Sequence, residues 1–279
     1  MPGHLLGKFA ISTRLARGGV VALGCALLLT ACAAGAADPG TSSKTTSSTK
    51  ATTTTTIPTV PQPTAAKPLT ILDIGDSLGE DLGLGLGYTL DSNPLVHVIQ
   101  AARGDTGLAR PDYYNWPAHL QALLNEYHPE VVMILVGGND SQSFDYNNGV
   151  VDFGSPQWHT IYSARVALLM SEVLKSKAKL LWVGLPIMQD PSFAANMQML
   201  NAIYQAQTAR HLGVHFFSTW TLFSNAQGQY SAYLANQSGQ VVLARDGDGI
   251  HIAPPGGCDI IAIAATRQIE KIWHVHLKV

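Results

Sequence analysis

The chain has 279 residues, of which 17 are basic and 19 are acidic, and 46% are hydrophobic. This composition excludes a polycationic nucleic-acid-binding protein and an acidic disordered chain. Three cysteines without a C-x-x-C pair also exclude a disulfide-stapled miniprotein and a zinc ribbon. A hydrophobic core must therefore stabilise the fold, and any partner must be recognised by a local site.

The N-terminus has the pattern of a bacterial export signal. Lys8, Arg14 and Arg17 precede an apolar run at 18–31 that is too short for a permanent membrane-spanning helix. The run ends in Leu-Thr-Ala-Cys, which resembles the lipobox, where a signal peptidase cuts before a cysteine that carries lipid. We expect residues 1–31 to be a lipoprotein signal peptide and Cys32 to be lipidated, which anchors an exported protein to the bacterial membrane outside the cytoplasm. An ordinary cleaved secretory signal is the alternative.

Residues 32–67 have the composition of a disordered tether. The segment is rich in Ser and Thr, carries prolines near its end and has almost no large apolar side chain. Such a sequence buries too little surface to offset its chain entropy. A flexible coil of this length reaches roughly 30 to 35 Å, so the following domain is expected to lie just off the membrane.

From residue 68 onward the sequence alternates strand and helix patterns, which predicts one α/β domain over 68–279. Strand-helix alternation favours a five-stranded parallel sheet with helices on both faces. A segment punctuated by Gly and Asn at 227–244 is expected to contain a hairpin. The predicted strands are 69–74, 96–101, 131–136, 180–185 and 214–217. The predicted helices are 78–90, 116–127, 158–177, 193–212 and 258–273.

The first predicted strand runs directly into the turn Gly75–Gly79, with the sequence GDSLG. This turn places the Ser77 hydroxyl at a helix start, where backbone N–H groups are unpaired. A nucleophile gains the most electrostatic stabilisation at such a position. The letters also fit G-x-S-x-G, the nucleophile elbow of α/β-hydrolases. In that fold several strands precede the elbow, whereas here the predicted tether ends about ten residues before the serine. The position therefore argues against an α/β-hydrolase.

Three further polar segments are expected to converge on the same crevice. Gly104 follows the second predicted strand, and Asn139 follows the third. The carboxyl ends of parallel strands form one site where strand order reverses. Near the C-terminus, Asp248 precedes His251 by three residues, so its carboxylate can reach one ring nitrogen while the other faces the crevice. Asp246 is an alternative for the acid.

These segments resemble the SGNH, or GDSL, hydrolase superfamily in their residues and order. Gly75–Leu78 matches the nucleophile block, Gly104 the second block, Gly138–Asp140 the third, and Asp248–His251 the D-x-x-H block. The resemblance implies a three-layer α/β/α flavodoxin-like fold and acyl-ester chemistry. It also implies that neither an organic cofactor nor a metal ion is needed.

The chemistry of acyl transfer gives each of these residues a role. Ser77 would attack an ester carbonyl, His251 would take the proton of the serine, and Asp248 would hold the imidazole. The resemblance implies an oxyanion hole formed by the backbone N–H groups of Ser77 and Gly104 and by the side-chain amide of Asn139. A calcium loop in Asp-Gly-Asp-Gly is disfavoured because the downstream acidic ligand is missing.

The sequence thus predicts an exported serine esterase that hydrolyses O-acyl esters through an acyl-serine intermediate. Its substrates are expected in the cell envelope or outside the cell, as acylated polysaccharide, lipid or a small ester. An O-acyltransferase that modifies envelope polysaccharide with the same triad remains an alternative. So does a non-catalytic envelope-binding module that keeps the fold without the reaction.

Two further features have structural interpretations. The helix after Ser77 contains four glycines, each of which costs roughly 0.5 to 1 kcal/mol relative to alanine. We expect close packing of this helix on the sheet to compensate. Cys258 is predicted to be a small core residue rather than a catalytic thiol.

Overall fold

The computed structural model describes residues 60–279. The strands of this region are β1 (Leu69–Gly75), β2 (Val96–Gln100), β3 (Val131–Leu135), β4 (Phe144–Tyr146), β5 (Gly149–Val151), β6 (Lys179–Val183), β7 (Val214–Phe217), β8 (Tyr233–Ala235) and β9 (Val241–Leu243). The helices are α1 (Ser77–Leu90), α2 (Trp116–Tyr127), α3 (Pro156–Lys175), α4 (Pro191–Thr208) and α5 (Gly256–Trp273).

Five parallel strands form the main sheet in the order β2-β1-β3-β6-β7. This is the flavodoxin-like order, in which the direction of strand addition reverses beside β1. Every residue of β3 and β6 is buried, which is the pattern of parallel strands with helices on both faces. The predicted fold class and the five predicted strands are therefore confirmed.

The crossover directions place the helices in two layers. β2 lies on one side of β1, whereas β3, β6 and β7 follow in order on the other side. Because parallel crossovers are right-handed, the first crossover puts α1 on one face of the sheet and the later ones put α2, α3 and α4 on the opposite face. α5 packs beside α1 and completes the three-layer sandwich.

The glycines of α1 allow this helix to pack closely on its neighbours. A Cβ atom on Gly85 would lie 2.1 Å from the carbonyl oxygen of Cys258 in α5. A Cβ on Gly79 would lie 2.9 Å from the carbonyl oxygen of Leu135 in β3. Both distances are below normal contact, so α1 can approach the sheet and α5 only because these positions lack side chains. The expectation of close packing is confirmed.

Two antiparallel hairpins project from the sandwich. β8 and β9 pair within the segment where a hairpin was expected. β4 and β5 form a second hairpin that the sequence analysis did not predict. Its turn residues, Asn147 and Asn148, both adopt positive φ, as a two-residue hairpin turn of type I′ requires.

The packed region begins before the expected boundary at residue 68. Val60 is buried in the core, and Thr64 forms an antiparallel bridge with Lys67. The side chain of Gln62 accepts a hydrogen bond from the backbone N–H of His276, at 3.3 Å. These contacts depend on distant residues, so composition alone assigned 60–67 to the tether. The predicted signal peptide, Cys32 and the rest of the tether lie outside the described residues.

None of the helices within 60–279 combines the length and apolar character that crossing a bilayer requires.

Candidate active site

Ser77 is the first residue of α1 and follows β1 through a single residue, Asp76. The Asp76 carboxylate caps the helix by accepting the backbone N–H of Leu78 at 3.0 Å. Its other oxygen accepts the N–H groups of Gly137 and Gly138, each at 2.7 Å. Asp76 therefore fixes the serine turn to the loop that follows β3.

Burial raises the pKa of Asp76 to about 7, although the N–H of Gly137, Leu78 and Gly138 favour its ionised form. The neighbouring carboxylate of Asp140 also raises this pKa. The carboxylate is fully buried, so its three N–H donors replace the water that it lacks.

The structure brings Ser77, His251 and Asp248 into one hydrogen-bonded chain. The Ser77 Oγ lies 2.9 Å from His251 Nε2, and His251 Nδ1 lies 2.6 Å from Asp248 Oδ2. An ionised carboxylate can only accept, so Nδ1 carries the proton and Nε2 is left to accept the serine hydroxyl. The Asp246 side chain forms no hydrogen bond with the imidazole, and the backbone of Asp246 closes the turn of the loop with His251 and Gly249.

The protonation states of Asp248 and His251 allow His251 to act as a general base. Partial burial raises the pKa of Asp248, but hydrogen bonds from the His251 ring and from the backbone N–H groups of Ile250 and His251 have the larger combined effect. The pKa of Asp248 is therefore lowered to about 2. For His251, burial lowers the pKa, but the hydrogen bond and charge of Asp248 outweigh it, so the pKa lies above 6.5. Asp248 thus stays ionised and strengthens the basicity of His251.

The loop that carries Asp248 and His251 is held by two residues that the sequence analysis missed. Arg245 is fully buried, and its guanidinium donates to the backbone carbonyls of Ile187, Ile250 and His251. Burial lowers the pKa of Arg245 to about 10. Asp81, one turn beyond Ser77, accepts the backbone N–H of Ile252 at 2.9 Å.

Both residues therefore fix the loop relative to α1 and to the end of β6. Neither position carries a local signal, since Arg245 reaches Ile187 and Asp81 reaches Ile252, contacts that join segments far apart in the chain.

The predicted oxyanion donors are distributed over three strand ends. The Ser77 N–H belongs to the first turn of α1, where the helix supplies no acceptor. The Asn139 side-chain amide donates to the carbonyl oxygen of Thr106 at 2.9 Å, which leaves its second N–H for another acceptor. The Gly104 N–H donates to Glu80 Oε1 at 2.8 Å. The sequence analysis did not foresee this last contact, which arises because α1 brings Glu80 back over the loop after β2.

Asp140 orders the loop that carries Thr106. Its buried carboxylate accepts the N–H groups of Leu108 and Ala109, at 2.9 and 2.7 Å, and the hydroxyl of Tyr162 at 2.6 Å. Asp140 therefore connects the second and third predicted blocks, much as Asp76 connects the first and third.

Two cavities include residues of the predicted site: one includes Asn139 and the other includes Asp248. A polar cavity of about 220 Å³ is lined by residues that include Asp105, Thr106, Tyr113, Asn139 and Gln142. An open groove of about 520 Å³ is lined by residues that include Pro191, Phe193, Asp248 and Ile250. A larger cavity, of about 680 Å³, lies between α3 and α4 and includes none of the predicted site residues.

Within 60–279 no group of three or more His, Cys, Asp or Glu side chains has the arrangement of a metal site. Cys258 is buried, and burial raises the pKa of its thiol to about 12. The thiol therefore remains protonated and packs as part of the core.

Several solved structures share this architecture. A candidate acylhydrolase from Bacteroides fragilis matches with a TM-score of 0.52 and 15% identity, over 76% of this chain and 91% of that one. An acetyl-xylooligosaccharide esterase variant from Geobacillus stearothermophilus matches with a TM-score of 0.51 and 16% identity, over 72% and 94%. A hydrolase from the metagenome of Lake Arreo matches with a TM-score of 0.51 and 15% identity, over 71% and 95%. No curated protein sequence matches this chain.

The strand order and these neighbours define the class: the protein has the fold of the SGNH-type acylhydrolases and esterases, as the sequence resemblance implied. Within that class, the chain belongs to the family described as "Protein of unknown function (DUF459)", whose model matches residues 70–267.

Proposed function

We propose that this protein is a serine esterase that hydrolyses O-acyl esters through an acyl-serine intermediate. The observation that carries the proposal is the continuous chain from Ser77 Oγ to His251 to Asp248, with contacts of 2.9 and 2.6 Å. Its fold neighbours include an esterase and a candidate acylhydrolase, which supports ester hydrolysis without identifying the substrate.

In the acylation step, Ser77 Oγ forms a bond to the ester carbonyl carbon while its proton passes to His251 Nε2. The carbonyl oxygen becomes an oxyanion that accepts the N–H of Ser77 and the free N–H of Asn139. When the tetrahedral intermediate collapses, the bond to the alcohol oxygen breaks and His251 returns the proton to that oxygen. Asp248 stabilises the imidazolium that exists between these two events.

In the deacylation step, water takes the place of the alcohol. His251 removes a proton from the water as its oxygen attacks the acyl carbon, and it then protonates Ser77 as the carboxylic acid leaves. The enzyme returns to its starting state without a redox partner, and all the proton transfers are carried by the imidazole.

Hydrolysis is favoured over transfer to a sugar by the exposure of the triad. The His251 side chain is 36% exposed and the Asp248 side chain 45%. Water therefore reaches the acyl-serine freely, whereas an acyltransferase must exclude it. The same residues would support transfer if a bound saccharide displaced this water.

The proposed setting is outside the cytoplasm. The export signal and the lipidation of Cys32 predicted from the sequence would place the domain beside the cell envelope, where acylated polysaccharides and lipids are available as substrates. The polar cavity next to Asn139 supports a polar, small substrate, such as a short acyl ester of a sugar, because it offers hydrogen-bonding groups.

The proposal is tested by hydrolysis of 4-nitrophenyl acetate by the purified protein and by its Ser77→Ala variant. We expect turnover in the wild type and loss of at least about a thousandfold in the variant. Adding a xylo-oligosaccharide acceptor separates the alternatives, since an acyltransferase would form acetylated sugar in place of acetate. Saccharide binding without Ser77-dependent turnover would instead indicate a non-catalytic module.

A further inference from the structure

One of the three predicted oxyanion donors, the backbone N–H of Gly104, is committed to a side chain in the resting structure. The N–H of Gly104 donates to Glu80 Oε1 at 2.8 Å. The other carboxylate oxygen lies 3.0 Å from the point where a Cβ on Gly104 would stand. The carboxylate thus occupies the space in front of this N–H that an oxyanion would otherwise take.

The contact can be broken readily. Glu80 is exposed on α1, three residues after Ser77, and within 60–279 its carboxylate accepts no other hydrogen bond and forms no ion pair. An oxyanion and a carboxylate cannot share one N–H without strong repulsion between like charges. For Gly104 to stabilise the intermediate, Glu80 must rotate away.

On the basis of the proposed function, we propose that Glu80 gates the oxyanion hole and selects esters of polyhydroxylated alcohols. A carboxylate that leaves its donor must find other donors or water. Free hydroxyls beside the ester of a sugar provide such donors, whereas a hydrocarbon or aromatic alcohol provides none. A sugar ester therefore stabilises Glu80 in the position rotated away from Gly104. An ester without hydroxyls must bind while Glu80 still accepts the Gly104 N–H.

The surroundings of the gate fit a sugar. The cavity that Asn139 lines follows Gly104 directly in the chain at Asp105, and its other polar groups include Tyr113 and Gln142. These groups offer both donors and acceptors to sugar hydroxyls. Glu80 controls whether the Gly104 N–H is free to bind the oxyanion, and it contacts the alcohol part of the substrate. Its effect on kcat/KM must therefore depend on that alcohol.

The experiment compares two acetyl esters that differ in the alcohol alone: 4-nitrophenyl acetate and a mono-acetylated xylo-oligosaccharide with free hydroxyls. Both give the same acetyl-serine, and kcat/KM reports the steps up to its formation. The variants are Glu80→Ala and Glu80→Gln, with Glu126→Ala as the control. Glu126 is an exposed acid near the C-terminal end of α2, on the face of the sheet opposite α1, and its removal changes the net charge equally.

For Glu80→Ala we expect kcat/KM to rise several-fold with 4-nitrophenyl acetate, because the gate is absent, and to fall about tenfold with the acetylated sugar, because a charge-assisted hydrogen bond is lost. Glu80→Gln keeps an acceptor but lacks the charge, so we expect a smaller change in the same two directions. Glu126→Ala is expected to match the wild type with both esters. If Glu80→Ala fails to fold, the Gln variant carries the same comparison.

A parallel fall with both esters would show that Glu80 merely braces the loop after β2, and no change with either would show that it is idle. Both results overturn the gate while leaving the esterase intact. Wild-type turnover no greater than that of Ser77→Ala would overturn the proposed function, and the gate with it.

Discussion

Asp248 and His251 are joined by two hydrogen bonds. One carboxylate oxygen of Asp248 lies 2.6 Å from the ring Nδ1 of His251, and the other accepts the backbone N–H of His251 at 3.0 Å. The spacing of three residues lets one short loop fix both the direction of the ring and its tautomer. This pair is the part of the site on which the proposed mechanism depends most.

Replacing Asp248 with Asn should abolish this tautomeric control. The Asn side chain can donate a hydrogen bond to His251 Nδ1, which leaves the ring proton on Nε2. A protonated Nε2 cannot accept the proton of Ser77. We expect kcat for 4-nitrophenyl acetate to fall about 10³- to 10⁴-fold, with an unchanged melting temperature. Asp246→Asn is the matched control, since Asp246 lies on the same loop without a hydrogen bond to the imidazole. Equal losses in the two variants would contradict the assignment of the acid to Asp248.

The pH dependence of activity should report His251. Its pKa is raised above 6.5 by Asp248, despite the opposing effect of burial. As the pH falls through this raised pKa, the imidazole becomes protonated and can no longer accept the proton of Ser77. We expect kcat/KM to decline on the acid side with an inflection above 6.5, and Asp248, with its pKa of about 2, to remain ionised throughout. A profile that stays flat well below 6.5 would exclude His251 as the base.

Asn139 should contribute far more to turnover than to folding, where it supplies one hydrogen bond to the Thr106 carbonyl. Removing one side-chain donor from an oxyanion hole typically costs ~10²- to 10³-fold in kcat. We expect a loss of this size in Asn139→Ala, measured with 4-nitrophenyl acetate, beside a small change in the melting curve. Asn125→Ala, on the exposed surface of α2, serves as the control. Near-wild-type turnover of Asn139→Ala would remove it from the oxyanion hole.

Asp73 should make stability depend on pH. It is fully buried in β1, neither carboxylate oxygen has a hydrogen-bond partner among the described residues, and burial raises its pKa well above the ordinary value. The folded state therefore binds a proton that the unfolded state releases above about pH 4. Stability that is present below that pH is lost as the pH rises toward the folded-state pKa.

Asp73→Asn removes this titration, so it should stabilise the protein at neutral pH by on the order of 1 kcal/mol and flatten the dependence of the melting temperature on pH. Asp145→Asn, at an exposed position of β4, should leave that dependence as in the wild type. An equal slope in wild type and Asp73→Asn would show that Asp73 does not control it.

The sequence contained most of what determines the sheet and the reacting groups. The strand of Val131–Leu135 is apolar throughout and the turn after Leu69–Gly75 carries Ser77, so both are readable from local pattern. The spacing of Asp248 and His251 is equally local. The exact ends of helices were harder to predict from the sequence: α4 ends at Thr208, four residues before the predicted end.

The supports of the site could not be read in the same way. Arg245, Asp81 and Glu80 each contact a backbone group of a segment that is distant in sequence, and no periodicity marks such contacts. The role of Glu80 in particular depends on how α1 lies against the loop after β2, which is set by close packing at the glycines of α1. Sequence reasoning therefore predicted Gly104 as a donor and missed the side chain that occupies it.

The proposed mechanism depends on Ser77 being a nucleophile activated by His251. Its most direct test is intact-mass analysis of the purified protein after treatment with a fluorophosphonate, beside Ser77→Ala and His251→Ala. We expect one covalent adduct in the wild type, none in Ser77→Ala and a strongly slowed reaction in His251→Ala. Absence of an adduct in the folded wild-type protein, or equal labelling of Ser77→Ala, would show that Ser77 is not an activated nucleophile.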